Sequence, residues 1–294
     1  MLRTARTGFL SRSSGAEGAP QAQSVYSLEN PLSDPGTPAG PEVSIPQSPP
    51  PIEDPVWSGW DVFWIAMVTL FSIVFCVLVA TYVAQKLFYP KLGIMDVAKF
   101  PLVAVVGQAA AYVVVILFMV SVIEGRVGQK FWSAIQWNWP KTPWIFISGG
   151  VVLSVGLQLL ANLLPMPKGL PIERFFQTST EAWTLSVFGV TMAPLLEELF
   201  FRGFLYPVLA RRMGLPVAVA LTSVAFGLIH APQLGRAWGP VLVVFLVGVA
   251  LTLTRARTKS VASSLLVHIA YNGTLSVLLY VGSDGFRHLE KLNQ

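Results

Sequence analysis

Two adjacent carboxylates and an arginine, Glu197, Glu198 and Arg202, interrupt an apolar run that is long enough to cross a membrane. A charged side chain at the centre of a bilayer costs at least about 2.5 kcal/mol, so these three must be paired or face a wet cavity. Two histidines, His230 and His268, interrupt later apolar runs. Carboxylate and imidazole groups are frequent general acids and bases. This combination predicts a functional site inside the membrane.

Helical spacing separates the two carboxylates. Glu198 and Arg202 are four positions apart with the acid first, the favourable order for an ion pair on one helix face, so they should support the helix. Glu197 is rotated by about 100° from Glu198, which leaves it freer to face a cavity and accept a proton. A carboxylate deprived of water binds a proton more readily, although Arg202 opposes part of this effect. Pro194 should kink the helix nearby.

The remaining polar groups can reach a similar depth. Glu197 and His230 each lie about 21 to 23 Å along their helices from the short loop that joins these helices. His268 and Asn272, four positions apart on one helix face, are about 14 and 20 Å from the same membrane side. Polar residues with unrelated structural roles would not be expected to lie at the same depth in the membrane. The four side chains are therefore predicted to meet.

The composition predicts the elements that position these groups. The chain of 294 residues is 53% hydrophobic and 12% charged, with a mean hydropathy of +0.61. We predict an all-α fold, a polytopic transmembrane helical bundle of about seven spans with a disordered N-terminal tail. The apolar stretches lie near residues 60–84, 101–122, 143–164, 183–210, 215–231, 238–255 and 260–281.

The predicted organisation has four parts. They are a Pro/Ser/Gly-rich tail at residues 1–56, N-terminal transmembrane helices at 57–182, a catalytic transmembrane core at 183–281 and a polar C-terminal tail at 282–294. Basic residues between the later spans predict a cytoplasmic loop on that side. With seven spans, however, three lysines of the first loop fall on the opposite side: Lys86, Lys91 and Lys99. A bacterial inner (cytoplasmic) membrane is the expected location.

Two classes of function are not expected. No basic patch with interleaved aromatic residues is present, so nucleic acid is not an expected partner. The single cysteine, Cys76, lies in an apolar run and has no second cysteine to pair with. A disulfide framework and a thiolate zinc site are therefore excluded.

Taken together, the polar residues resemble the three motifs of the CPBP family, the CAAX protease and bacteriocin-processing family. This family includes type II CAAX prenyl endopeptidases and proteins similar to lysostaphin resistance protein A. In chain order the motifs are E-E-x-x-x-R at Glu197, Glu198 and Arg202, F-x-x-x-H at Phe226 and His230, and H-x-x-x-N at His268 and Asn272. The resemblance covers about residues 183 to 281, and the combination is much more specific than any single motif.

The resemblance implies an intramembrane endopeptidase in which Glu197 and His230 activate a water molecule. His268 and Asn272 would stabilise the oxyanion or join a metal site, and Phe226 would pack beside them. Glu197, His230 and His268 could also supply the ligands of a catalytic zinc ion with one position left for water. Metal-dependent and glutamate-dependent hydrolysis both stay open.

The expected partners are membrane lipids and a peptide or protein substrate, which could be lipidated or membrane-embedded. One alternative is a non-catalytic membrane scaffold or immunity protein that keeps the fold and binds a partner. Another is a proton-coupled transporter, in which buried Glu and His form a relay. The sequence shows no inverted repeat or paired broken helices that would favour transport.

Overall fold

The structure, a computed structural model, describes residues 53–167 and 169–288, without the side chains of residues 126, 127, 174 and 175. Within these ranges the regular elements are helices and no strand is present, so the predicted all-α fold is confirmed. The predicted N-terminal tail lies outside the described residues up to residue 52. Residues 289–294 of the predicted C-terminal tail also lie outside them.

The structure contains eleven α-helices within the described residues. They are α1 (Gly59–Leu87), α2 (Ile94–Val97), α3 (Pro101–Val127), α4 (Phe131–Ala134), α5 (Pro143–Ala161), α6 (Ser179–Val190), α7 (Met192–Glu198), α8 (Tyr206–Met213), α9 (Leu215–His230), α10 (Trp238–Thr258) and α11 (Val261–Gly282). A 3₁₀ turn, Pro171–Phe175, precedes α6, and a π-helical segment, Leu199–Leu205, joins α7 to α8.

Six helical stretches in the described part of the chain are long and apolar enough to span a membrane. They are Gly59–Leu87, Pro101–Gly125, Pro143–Ala161, Ser179–Met213, Trp238–Thr258 and Val261–Gly282. The remaining predicted stretch, residues 215–231, forms α9, which has only 16 residues. At about 24 Å it is shorter than the hydrocarbon core of a typical bilayer, roughly 30 Å. The protein is therefore an integral membrane helical bundle in which one core helix is short.

The stretch from α6 to α8 lies between three packed helix pairs. These pairs are α1 with α3, α5 with α11, and α9 with α10. Leu199 and Phe204 pack into one apolar cluster with residues of α1 and α3. Phe201 packs into a second cluster with Phe226 of α9 and Leu251 of α10. The motif-bearing stretch is thus enclosed on several sides.

The predicted kink near Pro194 is present. Pro194 has no N–H to donate to the carbonyl of Val190, and its ring crowds that carbonyl. The helix breaks between α6 and α7 at Thr191, whose φ and ψ are −115° and −72°. The break lies three residues before the proline because the lost hydrogen bond would have closed the turn that contains Thr191.

The π-helical segment directly follows the kinked helix. The N–H of Tyr206 bonds to the carbonyl of Phe201, five residues earlier, instead of four as in an α-helix. Segments of this kind are rare and are often found at functional sites. This one begins directly after Glu198 and contains Arg202. The wide turn therefore falls within the E-E-x-x-x-R motif.

Close contact between α5 and α11 depends on Gly150. A Cβ atom at this position would lie 2.4 Å from the carbonyl oxygen of Val267 and 2.6 Å from the Cβ of Ala270. Nothing lies within 4 Å of a Cβ built on the neighbouring Gly149. Glycine permits this close helix approach, as small residues commonly do in membrane proteins. The contact fixes α11 at the turn that carries His268.

Replacing Gly150 tests this packing. We expect Gly150→Ala to lower the stability of the detergent-solubilised protein by about 1 to 3 kcal/mol, because the added methyl group forces α5 and α11 apart. Gly149→Ala makes the same chemical change on the open face and should melt at or above the temperature of the unmodified protein. Thermal unfolding of both variants in one detergent measures the difference. Identical melting temperatures would contradict the packing argument.

Candidate active site

Glu198 is the acceptor at the centre of a buried polar cluster. Its Oε1 accepts hydrogen bonds from Arg202 Nη1 and His268 Nδ1, each at 2.8 Å. Its Oε2 accepts one from Ser264 Oγ at 2.6 Å. The side chains of Glu198 and Arg202 are both fully buried, and the predicted ion pair between them is confirmed. Glu198 thereby connects the end of α7 to two successive turns of α11.

Arg202 connects the same cluster to α9 and α10. Its Nη2 donates to the carbonyl of Gly248 at 3.1 Å and its Nε to Thr252 Oγ1 at 3.4 Å. The Thr252 hydroxyl in turn donates to the Gly248 carbonyl at 2.7 Å. The guanidinium carbon lies 4.6 Å from the centroid of the Phe226 ring, within cation–π range. A charge buried in this apolar setting is therefore matched by hydrogen-bond acceptors on α7 and α10 and by an aromatic ring of α9.

Glu197 points to a different environment from its neighbour. Its side chain is 21% exposed, whereas that of Glu198 is fully buried. Its Oε1 lies 3.7 Å from His230 Nε2, and its Oε2 lies 3.7 Å from His268 Nε2. The structure thus brings together the carboxylate and the two histidines that the sequence predicts to meet.

The other nitrogen of each imidazole has a fixed partner. His230 Nδ1 lies 2.7 Å from the carbonyl oxygen of Phe226, and His268 Nδ1 lies 2.8 Å from Glu198. Carbonyl and carboxylate oxygens only accept hydrogen bonds, so these contacts place the proton of each neutral imidazole on Nδ1. Each Nε2 then carries a lone pair. Two nitrogen lone pairs and the Glu197 carboxylate consequently face one another.

Asn272 is held by a different contact. Its Nδ2 donates to the carbonyl of Gly189 at 2.7 Å. Gly189 lies in the last turn of α6, where carbonyl groups have no partner in their own helix. Among the described residues no contact joins Asn272 directly to Glu197, His230 or His268. The structure therefore places Asn272 at the kink, and its predicted role at the oxyanion stays a prediction.

Three polar residues of the cluster were not predicted from the sequence. Ser264 lies one helical turn before His268 on the same face of α11, so the i,i+4 spacing could have identified it. Gly248 and Thr252 are also four positions apart, on α10. Small residues at this spacing indicate a close helix contact in a membrane, but they do not reveal that the partner is an arginine.

Tyr112 was also missed, and it comes from a part of the chain with no motif. Its ring stacks on that of Phe188, with centroids 5.6 Å apart and planes at 27°. Phe188 directly precedes Gly189, which binds Asn272. No sequence signal marks a single tyrosine in an apolar span as part of a site.

The motif-bearing part of the chain matches a known family. Residues 179–274 match the family model described as Type II CAAX prenyl endopeptidase Rce1-like. This match confirms the predicted resemblance to the CPBP family over these residues. Comparison with curated proteins and with solved structures gives no significant match.

The Rce1-like region contains all of the residues that the sequence predicts for the site: Glu197, Glu198, Arg202, Phe226, His230, His268 and Asn272. Tyr112 and the first three membrane-spanning helices lie outside it. The match supports a protease of the CAAX type.

The two adjacent carboxylates should differ in their effect on stability. Glu198→Gln removes the ion pair and leaves the fully buried Arg202 without a counter-charge, which is expected to cost about 3 to 5 kcal/mol. Glu197 makes no hydrogen bond to another described residue, so Glu197→Gln should change stability much less. The yield of folded protein in membranes and its melting temperature in detergent measure both effects. Equal losses in the two variants would contradict the separate roles.

Proposed function

We propose that this protein is an intramembrane endopeptidase that hydrolyses peptide bonds with a water molecule activated by Glu197 and His230. The observation that carries the proposal is the arrangement of acceptors around Glu197. The Nε2 atoms of His230 and His268 each lie 3.7 Å from one of its carboxylate oxygens. Groups that only accept hydrogen bonds repel one another unless a donor lies between them. Water is such a donor, and it is the nucleophile of a hydrolase.

Proton transfer follows from this geometry. The water would donate one hydrogen to Glu197 and the other to His230 Nε2 while its oxygen faces the carbonyl carbon of the substrate. As the carbon–oxygen bond forms, Glu197 takes the proton. It later transfers this proton to the leaving nitrogen, so the same carboxylate serves as base and then as acid. The partly exposed Glu197 can change charge more easily than the fully buried Glu198, which is held by an arginine.

The negative oxygen that forms on the substrate needs a donor. Asn272 has two amide hydrogens and uses one to bind the Gly189 carbonyl, so the other is available to the oxyanion. In the neutral imidazole of His268 the N–H group already donates to Glu198, so His268 could serve the oxyanion only after gaining a second proton. We therefore assign the oxyanion contact to Asn272 and the water contact to Glu197 and His230.

Zinc is the alternative partner of these acceptors. Glu197, His230 and His268 would hold the ion, and each histidine has the oxygen acceptor on Nδ1 that commonly orients a zinc ligand. When bound, zinc would supply a water molecule of lowered pKa. The donor types fit, but among the described residues no three His, Cys, Asp or Glu side chains converge in the geometry of a metal site. The proposed proton transfer uses the side chains alone.

The substrate belongs to the proposal as well. A site between membrane-spanning helices suits a peptide segment that reaches it from the membrane, and a lipidated C-terminus of the CAAX type is what the family description suggests. Membrane lipids would surround the entry path. A bacterial cytoplasmic membrane is the location that we propose.

Proteolysis can be tested directly in membranes of the native host. Glu197→Gln should lower the cleavage rate by at least about 100-fold, because a positioned general base contributes roughly 10² to 10⁴ to the rate. Mass spectrometry of protein termini, in cells that express either form at matched abundance, would identify new ends made only by the unmodified protein. These ends would also identify the substrate.

The matched control is Asp284→Asn, which converts an exposed carboxylate at the end of α11 into an amide. It should leave the pattern of termini unchanged. Identical termini with the unmodified protein and with Glu197→Gln would overturn the protease proposal. If cells with the unmodified protein and cells with Glu197→Gln also kept the same phenotype, the results would favour a non-catalytic scaffold or immunity protein.

Removal of metal separates the two mechanisms. We expect the purified protein to keep its cleavage activity after dialysis against a zinc chelator, because Glu197 itself accepts the proton of water. Residual zinc measured by elemental analysis and cleavage of a substrate identified as above are the readouts. Loss of activity that added zinc restores, together with loss of bound zinc in His230→Ala and His268→Ala, would instead assign a metal centre.

A further inference from the structure

Residues Glu53–Trp57, which precede α1, form an N-terminal clasp in which buried and exposed positions alternate. Only 4% of Glu53 and 4% of Trp57 is exposed. Glu53 Oε1 accepts from Arg255 Nη1 at 3.0 Å, and its Oε2 accepts from Gln136 Nε2 at 3.2 Å. Arg255, near the end of α10, is itself 1% exposed. The clasp thus begins with an ion pair between residues 202 positions apart.

The other end of the clasp reaches the π-helical segment. Trp57 Nε1 donates to the carbonyl of Phe204 at 2.9 Å, and the two rings lie 4.9 Å apart. Arg211 of α8 donates to the Pro55 carbonyl at 2.7 Å and holds the middle of the clasp. Phe204 is two residues after Arg202. The indole therefore binds the wide helical turn that positions the buried arginine.

The clasp joins the two elements that hold Arg202. Trp57 contacts the π-helical segment that carries this arginine. Glu53 binds Arg255, which lies three residues after Thr252 on α10, and Thr252 accepts a hydrogen bond from Arg202. One short stretch of chain consequently fixes α10 against the π-helical segment.

Glu53 supplies the negative charge of a buried polar cluster. Gln136 Oε1, Tyr206 Oη and Arg255 Nε are buried and have no hydrogen-bond partner among the described residues. Arg255 also lies 5.6 Å from the Tyr206 ring centroid. Glu53 is the carboxylate that these contacts bring to Arg255, so its loss would leave a buried charge uncompensated. Such a group would shift towards other acceptors and move α10.

We propose that Glu53 and Trp57 are positioning residues for the site, although they lie outside the Rce1-like region and touch none of its reacting groups. They hold the π-helical segment and α10 together, so that Arg202 keeps Glu198 in place. Glu198 in turn orients His268 towards Glu197. This inference rests on the proposed function for its effect on cleavage, but its structural part can be tested without catalysis.

Trp57→Phe tests the proposal with the smallest change, since it removes the N–H donor and keeps an aromatic ring. We expect kcat to fall about tenfold with little change in KM, because a small misplacement of reacting groups slows the chemical step. Trp60→Phe is the matched control. Trp60 is 73% exposed at the start of α1, and its replacement should leave kcat unchanged.

A double variant shows whether the effect passes through Glu198. Ser264→Ala removes one donor to this carboxylate. If Trp57 acts on the same network, the loss of kcat caused by Trp57→Phe should be smaller in the Ser264→Ala background than in the unmodified protein. A purely structural role would give independent losses. Additive losses would therefore overturn the positioning role.

A chemical probe reports the position of residue 197 without any cleavage. Cys76 is the only cysteine of the chain, so Cys76→Ser provides a cysteine-free background in which Glu197→Cys can be labelled with a maleimide. We expect Trp57→Phe to change the labelling rate severalfold and Trp60→Phe to leave it unchanged. Glu53→Gln should act like Trp57→Phe.

The labelling rate and kcat together distinguish failure of the clasp inference from failure of the protease proposal. A changed labelling rate in a protein that cleaves nothing would retain the clasp as a positioning element and reject the protease proposal. Unchanged labelling and unchanged kcat in a folded Trp57→Phe protein would overturn the inference itself.

Discussion

The buried ion pair between Glu198 and Arg202 is the interaction on which the rest of the site depends. Both side chains are fully buried in a helical bundle of the membrane, where neither charge could persist without partners. Other elements supply further contacts to the pair: α10 through Gly248 and Thr252, and α11 through Ser264 and His268. The need to satisfy this pair therefore selects which helices surround the motif.

The ion pair also determines what its neighbour can do. Glu197 is rotated from Glu198 by one residue of helix, so once Glu198 faces α11 the direction of Glu197 is set. His268 strengthens this constraint because one of its nitrogens binds Glu198 and the other faces Glu197. The His268 imidazole therefore fixes the position of the Glu197 carboxylate relative to that of Glu198. The two adjacent glutamates therefore have different chemical roles.

Contacts between residues close together in the sequence could be predicted, whereas several contacts between distant residues could not. The Glu198–Arg202 pair and the direction of Glu197 depend on spacing within one helix, and both were predicted. The contact of Asn272 with Gly189 was not, because it depends on which carbonyl the break at Thr191 leaves free. Periodicity identified the apolar run of α9 but not that its helix is shorter than the hydrocarbon core of a typical bilayer. Tyr112 carries no motif and could be found only through packing.

The clasp shows why such a site needs support from distant parts of the chain. A π-helical turn is less favourable than an α-helical one, so the geometry around Arg202 must be stabilised from outside the segment. Trp57 binds the Phe204 carbonyl within this segment, while Glu53 neutralises the buried Arg255 on the helix that faces it. Local sequence rules cannot predict these contacts, since they join residues 147 and 202 positions apart. A site placed on an irregular helix is therefore as dependent on its remote contacts as on its motif.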